Sequence, residues 1–585
     1  MKRIFTLLAI IIAIASCNNP TKPKTEAKDF GNFKEQFIED LWKQYPGFAT
    51  GVGYHKYDSA LVIPDASSNR ASLAFVDEVE KGLKAFDFEK LSDNDKTDYK
   101  LIQSFIDGTR FGINEFKSNE WDPSNYNVGG SFFSVIDNKE ETLDNKLKTI
   151  SIKLSKVPAF YAAAKANINK PTREHTDLAI KQNEGSLYIF NQILADSLNA
   201  SNLTADEKAK FKQNSDSAVA AINGYVAFLT DLKSKFTDDN TRSFRIGKEL
   251  YAKKFAFDIE SRYTSAEMYQ KAMDRKAYLH GEMTKISREL WPKHMGKQPM
   301  PADSLVMIKA LVDKISLQHC KAEEFTPTIE KQLSELRTFI NSKSIIDLDS
   351  TKPLEVRETP AYMAGVAGAS ISGPGPYEKN ATTYYNVTPL IKPTNKAEAD
   401  KNESYLREYN DYVLQILNIH EAIPGHYTQG IYSNRSPSII KTIFGNGAMI
   451  EGWACYVERM MLEEGYNNSP EMWLFYYKWN LREACNFLLD YNIQCNDWSA
   501  EQVRNLLVNE AFQQSAEADE KYKRATLTQV QLTSYFTGLT EIYELREELK
   551  AKQGKAFDLK KFHEQFLSYG SAPVKEIREL MLHAN

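Results

Sequence analysis

Cysteine is scarce, with five in 585 residues, and no two form a C-x-x-C pair, which argues against a metal held by thiolates. A disulfide among Cys320, Cys455, Cys485 and Cys495 is permitted outside the cytoplasm, but spacing does not choose the partners. Turn-formers are also few: 27 glycines and 21 prolines are about 8% of the chain against roughly 12% in average usage, which disfavours a turn-rich all-β architecture. An excess of either charge is lacking too. The net charge is −5 with acids and bases interspersed, so nucleic acid is not an expected partner. No apolar run is long enough to span a bilayer. What the chain does have is 42% hydrophobic residues, including 31 Phe, 30 Tyr and 7 Trp, enough for a large globular core.

The N-terminus reads as an address. Lys2 and Arg3 precede an apolar stretch from Ile4 to Ala15, the pattern of an export signal. Ile14-Ala15-Ser16-Cys17 resembles the lipobox of bacterial lipoproteins, which implies a signal peptide over 1–16, lipid on Cys17, and anchoring to a membrane of the cell envelope, the outer membrane being the expected one. The polar, proline-containing stretch over 17–29 reads as a flexible tether. From Phe30 onward, apolar positions recur at helical spacing, as in Ser151 to Ile168 and Thr204 to Lys233, with no repeat period. We expect one large, mainly α-helical domain over 30–585, built around one extended core. Thr359 to Thr388 is the exception: Ser372 to Tyr377 predicts a turn or loop and Thr382 to Val387 a short strand, so a small β-sheet interrupts the helices.

Chemistry concentrates just after that sheet. Leu406, Tyr409, Val413, Ile416, Leu417 and His420 fall at helical spacing, followed by Glu421-Ala422-Ile423-Pro424-Gly425-His426. Two imidazoles flanking a carboxylate are similar to H-E-x-x-H, in which both rings share one helix face and bind zinc while the glutamate serves as general base. Here the histidines are six apart. At about 100° per residue a regular helix would turn His426 away from His420. Pro424, whose ring clashes with the His420 carbonyl, and the permissive Gly425 predict a local bulge that reunites the rings. A catalytic zinc needs a third protein ligand, and Glu451, opening the helix EGWACYVERMM, is the candidate. Glu458, two turns on, is placed to accept the second ring N–H of a zinc histidine.

These residues resemble the family catalogued as domain of unknown function 885, whose members carry H-E-x-x-P-G-H followed by E-G-W-A and are usually placed with zincin-type metallopeptidases. The likeness extends to Gly53-Tyr54-His55, Phe562-His563, and the spacing of Arg524, Gln531, Tyr535 and Gly538. It departs at Gln529-Val530, where the family has Pro-Gly, and at Gln494, where it has histidine. The resemblance implies a gluzincin-type helical fold with a small sheet beside the metal helix. It also implies a membrane-anchored, Zn²⁺-dependent peptidase or carboxypeptidase in which Glu421 is the general base. Tyr535, with Arg524 as a second candidate, would stabilise the oxyanion. A peptide substrate would then lie along an edge strand beside Tyr384, Tyr385 and Asn386. The alternative is a helical lipoprotein that binds peptides or nutrients at a degenerate metal site without cleaving them.

Overall fold

The computed structural model describes residues 29–359, 369–378, 382–390 and 392–584. The expected signal peptide, Cys17 and the tether up to residue 28 lie outside the described residues. Asp29 caps the first described helix, Phe30–Gln44, by accepting the N–H of Gly31 at 2.8 Å. Helix makes up 72% of the structure and strand 3%, a mainly helical architecture with a three-stranded sheet. Among the described residues no helix is long and apolar enough to cross a membrane.

The predicted helix at Thr204 runs over Ala205–Ser234, started by a capping box between Thr204 and Glu207. The stretch from Ser151 to Ile168 is not one helix. It divides into Leu143–Leu154 and Val157–Asn167, because Pro158 in the first turn of the second has no N–H to continue the first. Buried apolar side chains form two clusters and not the single extended core expected: one within Tyr126–Leu229, the other spanning the rest and enclosing the motifs. His175, from the region of the smaller cluster, shares a hydrogen bond of 2.9 Å with the Leu527 carbonyl of the larger.

Six helices of the larger part carry the candidate site: α1 (Val413–Glu421), α2 (His426–Ser433), α3 (Gly447–Glu463), α4 (Pro470–Cys495), α5 (Ser515–Leu527) and α6 (Ser534–Gln553). The apolar stripe from Leu406 to His420 is split before α1. The helix Lys396–Glu408 ends, and the Asn410 side chain accepts the N–H groups of Tyr412 and Val413 at 3.1 and 3.3 Å, starting α1 afresh. Helix α3 begins at Gly447, one turn before the expected start at Glu451, with Asn446 accepting the Met449 N–H at 2.8 Å.

The sheet comprises β1 (Leu354–Glu358), β2 (Ala369–Ser372) and β3 (Thr383–Val387) in the order β1-β3-β2, with β3 parallel to β1 and antiparallel to β2. It sits beside the helix that carries His420: the buried Tyr385 hydroxyl donates to Asn418 Oδ1 on α1 at 2.8 Å. The predicted strand is real, but it is central and not an edge. Its backbone is paired on both sides, so β3 has no free ladder for a peptide.

Candidate metal centre

The segment between His420 and His426 does more than bulge. Helix α1 stops at Glu421, the chain turns through Ala422-Ile423-Pro424-Gly425 with a cis Ile423–Pro424 peptide, and α2 starts at His426. Two supports hold the turn: the N–H groups of Ala422 and Ile423 both donate to the Asn418 carbonyl at 3.1 and 3.2 Å, and Trp453 Nε1 on α3 donates to the Pro424 carbonyl at 2.9 Å. Gly425 is required by close approach, since a Cβ there would overlap the His420 carbonyl oxygen. The consequence is that two rings six positions apart meet, with centroids 4.8 Å apart and planes at 87°.

Glu451 completes the group. Its Oε2 lies 3.4 Å from His426 Nε2 and 3.7 Å from His420 Nε2, and one donor atom from each of the three residues falls within 4.8 Å of the others. Tetrahedral ligands about 2.0–2.1 Å from zinc stand about 3.4 Å from one another, so this donor set fits the ion. The side chains of His420, His426 and Glu451 remain 8%, 17% and 21% exposed, which leaves an approach from solvent.

Behind His420 stands Glu458, fully buried, whose Oε1 accepts His420 Nδ1–H at 2.7 Å and Trp479 Nε1–H at 3.0 Å. Donation from Nδ1 leaves Nε2 as the ring atom that faces Glu451 and that a metal would bind on displacing its proton. Burial opposes a charged His420, but Glu451 and Glu458 outweigh it and raise its proton affinity well above the ordinary value: the site is built to hold positive charge. Glu451 is held low by the same two histidines against its own burial. A second group, His420, Cys455 and Glu458, also has donors within reach of one another. It suits an ion less well. His420 Nδ1 is spent on Glu458 Oε1, and burial first, then the charges of Glu483 and Glu458, push the Cys455 thiol far from ionisation.

Glu421 is buried beside the ligands; desolvation raises its proton affinity, and His426 and His420 pull it back. Tyr535 reaches the site from α6. Helices α3 and α6 cross where Gly452 meets Gly538, and a Cβ on either would overlap the other helix's backbone, so the E-G pair and the glycine three residues after Tyr535 belong to one contact. Burial, and then the charge of Glu451, push the Tyr535 phenol up to about 12, and Arg524 Nη2 lies 3.4 Å from its hydroxyl while donating to Gln531 at 2.8 Å.

The expected substrate contacts need correction. Tyr385 and Asn386 are fully buried; Asn386 accepts from Arg357 at 2.7 Å and donates to Ser372 at 2.8 Å, and the Tyr384 ring lies under the Arg357 guanidinium at 3.8 Å. These residues hold the sheet together. Sequence reading also missed Trp479, Arg482 and Glu483 on α4, although Glu483, Asn486, Asp490 and Gln494 form a polar stripe at helical spacing within a helix otherwise rich in apolar residues. Glu483, hydrogen-bonded by Asn480 at 2.6 Å, has its carboxyl pushed up to about 8 by burial and by the Glu458 charge, so Glu483 is the protonated member of that pair at neutral pH. Lys521, which reads in sequence as part of a solvated cluster with Lys523 and Arg524, is buried. His563 packs behind α3, sharing hydrogen bonds with the Tyr456 hydroxyl at 2.8 Å and the Ile345 carbonyl at 2.9 Å.

The pattern of the family described as bacterial protein of unknown function (DUF885) matches residues 46–581. Among solved structures, the chain is similar to a protein of Shewanella oneidensis described as a candidate lipoprotein of unknown function. The identity is 51% and the TM-score 0.86, over 95% of this chain and 100% of that one. A protein of Colwellia psychrerythraea, likewise described as a candidate lipoprotein, shares the fold at 17% identity and a TM-score of 0.75, over 95% and 98% of the two chains. No curated protein matches the chain.

Proposed function

The chain belongs to the DUF885 family, and from that premise we propose that it is a zinc-dependent peptidase or carboxypeptidase of zincin type, held at the cell envelope by lipid on Cys17. The observation that supports this most is the meeting of His420, His426 and Glu451, with Glu451 Oε2 3.4 and 3.7 Å from the two Nε2 atoms and one donor atom of each residue within 4.8 Å of the others, and with Glu421 beside them.

When bound, zinc supplies Lewis acidity toward a carbonyl oxygen and lowers the pKa of water in its open position. Glu421 takes the proton of the attacking water at its carboxylate and passes it to the leaving amine nitrogen as the C–N bond breaks. Tyr535 stays protonated across the neutral range and donates its hydroxyl to the oxyanion. Arg524 acts through Tyr535, holding the hydroxyl in place, and is a positioning residue. Glu458 and Trp479 fix the plane and tautomer of His420.

The test pairs metal analysis with cleavage of a mixed peptide library by the wild type and by Glu421→Gln. Both proteins should retain about one zinc, and the variant should lose about 10²–10⁴-fold in turnover. Two zinc-loaded proteins that cleave nothing would replace the peptidase reading with the non-catalytic binding one.

A further inference from the structure

Helices α4 and α5 and the end of Lys396–Glu408 gather six ionisable side chains next to the metal centre, and their charges do not balance. Lys478 pairs with Glu408 at 2.8 Å and Arg482 Nη2 with Glu517 at 2.6 Å. That leaves Lys521 and Arg524, the latter bonded to the neutral Gln531 and Tyr535. The Lys521 side chain is 7% exposed, yet its ammonium has no hydrogen-bond partner among the described residues; the Glu517 oxygen, already engaged by Arg482, stands 3.9 Å away. Arg482 Nε is likewise buried without an acceptor. Glu408 Oε2 is buried without a donor, and Lys478 already neutralises that carboxylate.

A buried ammonium without an acceptor is destabilising unless something anionic completes it. Burial and the neighbouring Arg482 charge lower its proton affinity, the signature of a cation held without sufficient counter-charge. The cluster also adjoins the reacting groups on two sides. Arg482 stacks at 4.5 Å on the Trp479 ring, whose N–H holds Glu458, and its charge acts on Glu421. Arg524 contacts Tyr535.

We propose that Lys521, together with Arg482, receives a carboxylate of the substrate, so that the preferred peptides carry a free carboxylate near the bond cleaved. The inference rests on the peptidase reading and narrows it to a substrate class. The carboxylate is either the peptide's C-terminus or an acidic side chain.

Three matched peptides separate these on the zinc-loaded protein: a C-terminal free acid, its amide, and the amide with a glutamate at the end. For the wild type, kcat/KM should be about 10- to 100-fold higher for a carboxylate-bearing peptide than for the plain amide, the range of a charge-assisted hydrogen bond. Preference for the free acid alone assigns the C-terminus; equal use of the glutamyl amide assigns the side chain. Lys521→Met should bring the ratio to about 1, and Lys521→Arg should restore part of it. Because Lys521→Met removes an unmatched buried charge, its melting temperature should equal or exceed that of the wild type, which checks that the variant folds. A wild type indifferent to the carboxylate, or a Lys521→Met variant that keeps the preference, overturns the proposal and leaves the peptidase reading intact. If the wild type cleaves no peptide, the peptidase reading fails, and calorimetry with the same free acid and amide still decides the subsite. Tighter acid binding lost in Lys521→Met supports it; equal binding of acid and amide overturns it.

Discussion

On the proposed zinc reading, Glu458 is the buried residue on which the centre would most depend without touching the ion. It is fully enclosed, and a single oxygen receives both the His420 and the Trp479 N–H. Glu458→Gln preserves volume but removes the charge, so the His420 bond changes from charge-assisted to neutral. Such bonds differ by about 1–1.5 kcal/mol, and loss of an orienting partner of a metal histidine lowers metal affinity by about 10–100-fold. We therefore expect zinc binding to weaken about 10–100-fold, or about 1.4–2.8 kcal/mol, when measured by competition with a chromogenic chelator. Glu458→Ala should do more. It strands two buried N–H donors at about 1–3 kcal/mol each, so the metal-free protein should also melt earlier. A zinc affinity within about twofold of the wild type in Glu458→Gln would refute the reasoning, because His420 would then hold its orientation without the carboxylate.

Two further outcomes are expected. Val530 occupies the left-handed region at φ 73°, strained for a β-branched residue, while its side chain is fully buried and its N–H donates to Asp490 at 3.0 Å. Val530→Ala keeps the strain and loses the packing, whereas Val530→Gly releases about 1–3 kcal/mol of strain against the same loss, so chemical denaturation should find the glycine variant the more stable of the two. The reverse order would contradict the backbone account. His563, fully buried, has its ring pushed down to about 4 by desolvation, with the Arg546 charge adding to it. Its folded pKa lies below the unfolded value of about 6.5, so the unfolded chain takes up the proton first on acidification. Relative to a His563→Gln variant, the wild type should lose up to about 3 kcal/mol of stability between about pH 6.5 and 4, and none of that difference should develop above pH 7. A difference that is flat with pH would show that the His563 ring titrates in the fold as it does in the unfolded chain, against the desolvation argument.

The proposed ligands were legible because their chemistry is local. His420, Glu421 and His426 announce themselves by type and spacing, Pro424 and Gly425 mark where the helix must fail, and Glu451 follows a capped helix start. How the helix fails was not legible. A bulge and a full break differ in the supports given by Asn418 and Trp453, and Trp453 lies on another helix. Strand β3 was found from its β-branched and aromatic residues, but its central place depends on β1 and β2, whose pairing is a matter of tertiary order. The burial of Lys521 was not legible for a related reason. In sequence it joins two other cations on a polar helix, and only the packing of α5 against α4 turns it from a solvated charge into a buried one.

X-ray absorption at the zinc edge of the purified protein tests the central claim most directly. The account predicts one zinc bound by two imidazole nitrogens and a carboxylate oxygen at about 2.0–2.2 Å, with no sulfur shell near 2.3 Å. His426→Ala should remove one of the imidazole contributions. A sulfur shell from Cys455, or a spectrum unchanged in His426→Ala, would contradict it.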